Sequence, residues 1–483
     1  MREWRSKFEG SDAIPVYFTN EIPCAERKRT MFTNSPIRFT IGKSMKKIAL
    51  ISFGCAKNLV DSEVMLGYID QAGHSFVTDP KDADVLILNT CGFIEPAKKE
   101  AQNALRDAVS FKKRGVGKKA IAVGCYVERY RNSLEQKYPE IDVWLGVNDF
   151  DKIVQAIEGK PFTRSGESFL YDHTSPRLRQ TPPAWSYVKI SEGCSHECSF
   201  CSIPLIKGPY RSRSVSSIVS EVEALGQQGV KEVNLISQDT TYFGRDKGME
   251  NGLILLIREL LQVKTIDWLR ILYGYPEEIS DPLLEVMQED KVCSYLDIPF
   301  QHSDPEIVKK MKRAMDGQRA MKLIRKIRNK IPEITLRTSL VVGFPGEGKK
   351  EFENLKKFVQ EARFDHLGVF TYSREDGTSC FSLGDPVKEI VKNKRREKIM
   401  EIQAEISWQK NKEYLDRQIE VLVEGTSNQN PDLLIGRGRF QAPEVDGVIF
   451  MESPADWPKL VNTIQTVEIT GWDVYDLYGK AAR

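Results

Sequence analysis

The chain has 483 residues with 70 Lys and Arg against 68 Asp and Glu, and the net charge of +2 excludes a bulk polycation or polyanion. No apolar run approaches the roughly 18 residues of a membrane span, and the N-terminus lacks the charged-then-apolar pattern of an export signal. Nine cysteines in such a chain favour metal or redox chemistry in a reducing cytosol over disulfides, so we expect a cytoplasmic protein without membrane contact.

The first 44 residues differ from the rest of the chain in mixing charges, Pro and Thr without periodicity. Met45 then opens Met-Lys-Lys-Ile-Ala-Leu-Ile-Ser, which is typical of a first core strand. We predict that residues 1–44 form a disordered leader, with Met45 as an alternative start. A functional extension is the other interpretation, whereas a transit peptide fits poorly because the leader contains five acidic residues.

Residues 45–160 predict a parallel α/β sheet domain, followed by a linker at 161–180. Its buried strands are expected at Lys47–Ser52, Val85–Asn89 and Ala120–Gly124. A cysteine follows each strand, namely Cys55, Cys91 and Cys125. Because ligands bind at the carboxyl ends of strands in such sheets, the three thiols can converge. The alternative is three small buried core cysteines, but the repeated pattern favours a metal cluster.

A second cysteine triad lies in Cys194-Ser-His-Glu-Cys198-Ser-Phe-Cys201, with the spacing C-x3-C-x2-C. Iron–sulfur clusters are normally bound by four thiolates, so three would leave one iron open to a reactant. Structural zinc is closed by four ligands, and His196 is awkwardly placed as a fourth because it lies inside the motif. The spacing therefore favours a four-iron cluster over zinc.

Residues 181–414 predict six β/α units, forming a partial TIM-type barrel. The expected strands are Ser186–Ile190, Glu232–Ile236, Trp268–Ile271, Tyr295–Ile298, Thr335–Val342 and His366–Phe370. Polar or glycine-containing segments follow several of them, including those at Gln238, Gln301 and Gly343. We interpret His302 as a packing histidine, Cys293 as a core thiol, and Cys24 and Cys380 as leader and loop thiols. The basic stretches Lys112–Lys119 and Lys392–Lys398 are expected to be a loop and a solvated helix face.

Residues 415–483 predict a small β-barrel after a helix at Val387–Tyr414. Its short strands are expected at Gln418–Glu424, Leu433–Gly438, Gly447–Met451 and Thr466–Thr470. From Asp416 onward there are 11 acidic and 6 basic residues, a net charge of 6 − 11 = −5. RNA binding relies on Lys and Arg, so this barrel suits a basic partner. Acids such as Glu444 and Asp446 are candidates for a docking face, and Arg437 with Arg439 could instead form a basic patch for RNA.

The triad at Cys194, Cys198 and Cys201, with an aromatic residue before its third member, resembles that of the radical S-adenosylmethionine (SAM) superfamily. The resemblance implies that SAM chelates the open iron and is cleaved by one electron to a 5′-deoxyadenosyl radical. It implies no catalytic side chain beyond the cluster ligands. SAM contacts are expected from Phe200, Gln238, Gln301, Arg337, Val342 and Gly343. Arg337 would pair with the SAM carboxylate, and a structural ion pair is its alternative.

The three domains together resemble the methylthiotransferases, with a TRAM domain at the end of the chain. Segments such as Gly54-Cys-Ala-Lys-Asn-Leu-Val-Asp-Ser-Glu63 and Ala442-Pro-Glu-Val-Asp-Gly447 are similar to RimO-like members, which modify an aspartate β-carbon in a small-subunit ribosomal protein. The resemblance implies two 4Fe-4S clusters, the auxiliary one bound by Cys55, Cys91 and Cys125, and an electron donor such as flavodoxin or ferredoxin. It also implies no stable nucleic-acid complex.

Two other functions stay open at this point. MiaB-like members of the same family modify transfer RNA by the same chemistry. A non-catalytic scaffold with two structural metal sites is the alternative from another class, and the missing fourth ligand at both triads argues against it.

Overall fold

The computed structural model describes residues 45–115, 119–163, 169–427, 430, 432–452 and 457–481. The expected leader and Cys24 lie outside these residues, as do three residues of the predicted basic loop. The chain divides into two compact units, with the boundary between Gln180 and Thr181. No helix in the described ranges is both long and apolar enough to cross a bilayer.

The first unit contains a five-stranded parallel sheet with strand order β2-β1-β3-β4-β5. The strands are β1 Lys47–Ser52, β2 Ser75–Phe76, β3 Val85–Thr90, β4 Lys119–Gly124 and β5 Val143–Leu145. The helices are α1 Ala56–Gln71, α2 Glu95–Lys113, α3 Cys125–Lys137 and α4 Ile153–Glu158. All three predicted strands are confirmed to within one residue. The sequence did not indicate β2 and β5, which are too short to show periodicity.

The second unit begins with a six-stranded parallel sheet whose strands follow chain order, which confirms the partial barrel. Its strands are β6 Trp185–Lys189, β9 Glu232–Ile236, β10 Trp268–Ile271, β11 Val292–Asp297, β12 Thr335–Val342 and β13 His366–Thr371. A two-stranded ribbon of β7 Ser191–Glu192 and β8 Arg211–Ser212 follows β6. The helices are α5 Ile203–Lys207, α6 Val215–Gln227, α7 Gly252–Leu261, α8 Asp281–Val286, α9 Pro305–Lys310, α10 Gly317–Lys330, α11 Lys349–Ala362 and α12 Glu389–Lys412.

The two faces of this sheet differ in chemistry because side chains alternate along each strand. Val233, Leu235 and Leu269 belong to one large apolar cluster with the helices. The alternate positions on the same strands carry polar groups, including Glu232 and Arg270, which are also buried. The sheet is thus apolar towards its helices and polar on the opposite face.

The C-terminal part is a closed five-stranded barrel, as predicted. Its strands are β14 Gln418–Thr426, β15 Leu433–Gly438, β16 Ile449–Glu452, β17 Ile464–Trp472 and β18 Leu477–Ala481. β14 pairs with both β15 and β17, which closes the barrel around a core that includes Val421, Val467 and Leu477. β18 was not predicted from the sequence.

Candidate functional site

The three cysteines of the first unit lie at one edge of its sheet. β1, β3 and β4 are adjacent and parallel, so their carboxyl ends coincide. Cys55 immediately precedes α1, Cys91 follows β3, and Cys125 is the first residue of α3. The sheet therefore brings together three loops that are distant in sequence.

Two glycines show how closely these loops approach. A Cβ added to Gly54 would lie 2.8 Å from Cys91 Cβ and 3.0 Å from its Sγ. A Cβ added to Gly92 would lie 2.6 Å from the Cα of Tyr126, next to Cys125. Gly54 also has a φ of +96°, a conformation that favours glycine. The glycines thus let the three cysteine-bearing loops pack against one another.

A buried polar network supports the loop that carries Cys55. The Asn89 amide donates to Asn58 O at 3.0 Å and to Ser62 Oγ at 2.8 Å. The Asn58 amide donates in turn to Phe53 O at 2.6 Å. These side chains are at most 3 % exposed, whereas Cys55 is exposed and Cys91 and Cys125 are half-buried. The thiols are therefore accessible at a rigid edge, unlike the buried core cysteines of the alternative interpretation.

The second triad lies on a loop after β7 that several backbone hydrogen bonds fix. Cys194 N donates to Gly208 O at 3.1 Å and Cys201 N to Cys198 O at 3.1 Å. Gly193 has a φ of +80°, and a Cβ there would lie 2.2 Å from Pro209 O. The loop can therefore adopt this path only with glycine before the first cysteine.

The three thiols of this loop lie close enough to influence one another's ionisation. Burial, with a smaller contribution from the nearby Cys198, raises the pKa of Cys194 to about 11 and that of Cys201 to about 12. Without positive charge these thiols would stay protonated, whereas a bound iron–sulfur cluster stabilises thiolates. In the described residues no three His, Cys, Asp or Glu side chains are arranged around a single metal ion. Three neighbouring thiols fit the three protein ligands of a cluster with one open iron.

His196 is turned away from a ligand position. Its Nε2 lies 2.5 Å from Asp239 Oδ2, and its ring stacks on Tyr275 with 3.7 Å between centroids. The motif histidine is therefore bound to its own partners, which agrees with the expectation that it is not a fourth ligand.

The residues expected to contact SAM lie in the second unit. Phe200 is in the cysteine loop, whereas Gln238 and Gln301 follow strands β9 and β11. Gln238 Nε2 donates to the buried carboxylate of Glu192 at 2.8 Å. Phe200 packs against a cluster that contains Val341 and Phe344. Gln301 has a φ of +71° and bonds through its backbone to Ser339 and Val341. These positions are compatible with cofactor contacts, which stay a prediction.

Val342 and Gly343, expected near the adenine of SAM, end β12 in a tightly packed turn. Gly343 has a φ of +78°, and its N–H donates to Glu347 Oε2 at 2.6 Å. A Cβ at Gly343 would lie 2.4 Å from Lys392 Cγ. Lys392 itself is 1 % exposed and bonds Asp385, so the expectation of a solvated face was wrong at that residue.

Arg337 makes the ion pair that the sequence left as its alternative. Its Nη1 donates to Asp297 Oδ1 at 3.1 Å, and its Nε lies 3.6 Å from Asp446 Oδ1. Burial lowers the pKa of Arg337, but the surrounding Asp297, Tyr295 and Asp446 help to raise it above its usual value, so the guanidinium stays charged. The SAM carboxylate would have to compete with two carboxylates for this side chain.

The C-terminal barrel covers the polar face of the six-stranded sheet. Asp446, whose side chain is 1 % exposed, accepts from Tyr295 at 2.7 Å and lies 3.5 Å from His366 Nδ1. Glu444 is exposed and accepts from Tyr187 at 3.0 Å. The idea that Asp446 lies on a docking face was therefore wrong, because it is buried against the sheet.

Of the two arginines considered for an RNA patch, Arg437 faces inward and Arg439 is partly exposed. Arg437 bonds Glu232 and Glu424 and is 1 % exposed. Arg439 bonds Glu420 at 3.0 Å and Asp290 O at 2.6 Å. Because Arg437 is buried in ion pairs, the two arginines do not form the exposed basic patch that was the alternative interpretation.

The remaining sequence interpretations have mixed outcomes. His302 and Cys293 are fully buried, as expected. Cys380 lies in a loop but is 1 % exposed, with its Sγ 3.2 Å from Tyr372 Oη. Lys112 lies in the last turn of α2 and bonds Asp142 at 2.5 Å, so the basic stretch does not begin as a loop.

Sequence reasoning missed two buried groups, one near the second triad and one on the polar face of the sheet. The first is Arg313, which contacts Cys198. It lies in an ordinary basic stretch of the sequence and therefore gave no signal. Asn234 is fully buried, and neither its amide nitrogen nor its oxygen has a hydrogen-bond partner within the part of the chain that the structure describes. Only its alternation with Val233 and Leu235 could have indicated a polar residue on the inner sheet face.

Comparison with known proteins agrees with this arrangement. Residues 47–146 match the Uncharacterized protein family UPF0004, 188–359 the Radical SAM superfamily, and 417–482 the TRAM domain. The solved structure of a radical S-adenosylmethionine methyltransferase, TsrM from Kitasatospora setae, aligns with a TM-score of 0.52 at 12 % identity, covering 69 % of this chain and 74 % of that chain. That likeness supports the fold alone.

Several curated relatives share one name, ribosomal protein uS12 methylthiotransferase RimO. The protein of Pelobacter propionicus is 43 % identical, covering 90 % of this chain and 98 % of its own. The protein of Syntrophotalea carbinolica is 45 % identical with coverage of 90 % and 96 %, and that of Aquifex aeolicus is 43 % identical with coverage of 90 % and 97 %. Given this identity over nearly the whole length, the chain belongs to the RimO family of radical SAM methylthiotransferases.

Proposed function

We propose that this enzyme transfers a methylthio group to the β-carbon of an aspartate in ribosomal protein uS12. The observation that carries the proposal is the pair of three-cysteine sites, each with thiols that are exposed or half-buried. The names of its relatives supply the substrate. A ribosomal protein substrate implies that the reaction takes place in the cytoplasm.

The two cysteine triads have different proposed roles. Cys194, Cys198 and Cys201 would bind the cluster that cleaves SAM, and Cys55, Cys91 and Cys125 a second 4Fe-4S cluster that presents sulfur. When bound, the first cluster supplies the electron for SAM cleavage, delivered by a donor such as flavodoxin or ferredoxin. The chain itself positions the cysteine loops through the glycines and backbone bonds described above.

The polar groups of the second unit bind and orient the cofactor. Gln238, held by Glu192, and the backbone at Gly343 are the candidates nearest the ends of β9 and β12. Asn234 offers an amide to a polar ligand on the inner sheet face. Arg337 is already paired with Asp297 of the sheet and Asp446 of the C-terminal barrel. We therefore propose that its main role is to join the sheet to the barrel, and that it binds SAM only while keeping these carboxylates as partners.

Transfer RNA is the second candidate substrate, and the contacts of Arg437 and Arg439 disfavour it. A test separates the two substrates in cells that lack this protein. Mass spectrometry of uS12 and of bulk transfer RNA should show loss of the methylthio group from uS12 alone. Loss from transfer RNA with uS12 unchanged would reverse the assignment.

A further inference from the structure

The segment after α9, residues 310–313, is bonded directly to the loop of the second triad. Ser199 N donates to Met311 O at 3.0 Å, and Ser199 Oγ donates to Lys310 O at 2.7 Å. Arg313 Nη1 lies 3.6 Å from Cys198 Sγ, within reach of a hydrogen bond to sulfur. The segment therefore supports the cysteine loop at Ser199, between the ligand positions Cys198 and Cys201.

The guanidinium of Arg313 is fixed on several sides. Its Nη2 donates to Pro299 O at 2.8 Å, and its Cζ lies 4.0 Å from the centroid of Tyr275. The residue is 8 % exposed, and its Nε is buried without a hydrogen-bond partner among the described residues. One donor of the planar guanidinium is thus buried without a hydrogen-bond partner among the described residues, on a side chain whose Nη1 contacts Cys198.

We propose that Arg313 is a positioning residue that donates hydrogen bonds to the sulfurs of the SAM-cleaving cluster and raises its reduction potential. Nη1 would donate to the Cys198 thiolate, and Nε is free for a cluster sulfur. The inference rests on the proposed function in one respect, that Cys194, Cys198 and Cys201 bind a cluster.

The physical reason is the charge of the reduced state. A cluster with three thiolates gains negative charge when it accepts an electron, and hydrogen bonds to sulfur together with nearby positive charge favour that state. A guanidinium is always protonated in proteins, and its charge-assisted bonds are stronger than neutral ones.

Lys312 provides a matched control because it removes the same charge one residue away. Its side chain is 51 % exposed and its Nζ lies 3.8 Å from Glu197. A surface charge of this kind is screened by salt, whereas Arg313 acts through direct contact.

The test uses the full chain with Cys55, Cys91 and Cys125 replaced by Ala, so that one cluster is measured. Iron content and an electron paramagnetic resonance redox titration are recorded for this parent and for Arg313→Met, Arg313→Lys and Lys312→Met. Arg313→Met should make reduction roughly tenfold less favourable, a shift of about 59 mV to more negative potential. Arg313→Lys should shift the potential in the same direction by less, and Lys312→Met should leave it unchanged.

The outcomes distinguish an effect of Arg313 on the reduction potential from a purely structural role. If Arg313→Met fails to retain iron, Arg313→Lys decides, because one ammonium keeps the charge but cannot reproduce the fork that reaches both Pro299 O and sulfur. A parental potential in the iron-loaded Arg313 variants would overturn the inference and leave the proposed function intact. An iron-free parent would overturn the proposed function and this inference with it.

Discussion

Arg437 of the C-terminal barrel donates to the fully buried carboxylate of Glu232, 205 residues earlier in the chain, at 2.5 Å. Arg270 donates to the other oxygen of the same carboxylate at 2.7 Å, and Glu424 accepts from Arg437 Nε at 2.6 Å. This alternating row of charges joins the sheet to the barrel. The barrel is therefore a structural part of the catalytic unit, whatever else it binds.

Replacing Arg437 by Met should destabilise the C-terminal barrel. The change leaves Glu424 buried without its partner, and breaking a buried pair in this way costs roughly 3–5 kcal/mol. Arg439→Met is the matched control, since its pair with Glu420 is partly exposed and such pairs contribute about 1 kcal/mol or less. Hydrogen exchange of the barrel amides measures the stability of the barrel in both variants. Equal protection in the two variants would contradict the role of the buried pair.

Exposed acids of the barrel, rather than Asp446, should govern docking of a basic ribosomal protein. Asp432 and Glu452 are exposed, and changing both to Lys should weaken the complex with uS12 at low salt, because exposed charges are screened only beyond about 10 Å at 0.1 M salt. Binding is measured by calorimetry at two salt concentrations. Removal of residues 416–483 is unsuitable for this test, because it would remove Arg437 from the buried Glu232 and Asp446 from Arg337. Unchanged affinity in the double variant would mean that the acidic surface does not bind the substrate.

Replacing Cys194, Cys198 and Cys201 by Ala should remove one cluster and abolish SAM cleavage. The reconstituted enzyme should bind about eight irons per chain and the variant about four, because each 4Fe-4S cluster contains four. Iron analysis and chromatography of 5′-deoxyadenosine measure the two effects. Cleavage at the parental rate in the variant would exclude this loop as the site.

Replacing Cys55, Cys91 and Cys125 should have the complementary effect. SAM cleavage should continue because the second triad has its own loop and supports, whereas sulfur transfer to uS12 should be lost. The same assays with mass spectrometry of uS12 separate the two activities. Methylthiolated uS12 from this variant would show that sulfur comes from elsewhere.

The sequence predicted the strands and cysteines well because their signals are local. Thr335–Val342 and Leu433–Gly438 were predicted with their observed ends, since both are runs of strand-forming residues. The contacts of Arg337, Asp446 and Arg437 could not be predicted. Each depends on how the C-terminal barrel packs on the inner face of the sheet, and a net charge does not reveal which acids are buried.

The most direct test of the account is reaction of purified enzyme with purified uS12, SAM, sulfide and a low-potential reductant, followed by mass spectrometry of uS12 peptides. We predict one methylthio group on a single aspartate, formed by the parent enzyme and by neither cysteine-triad variant. Unmodified uS12, together with methylthiolation of transfer RNA added to the same reaction, would contradict the proposed substrate.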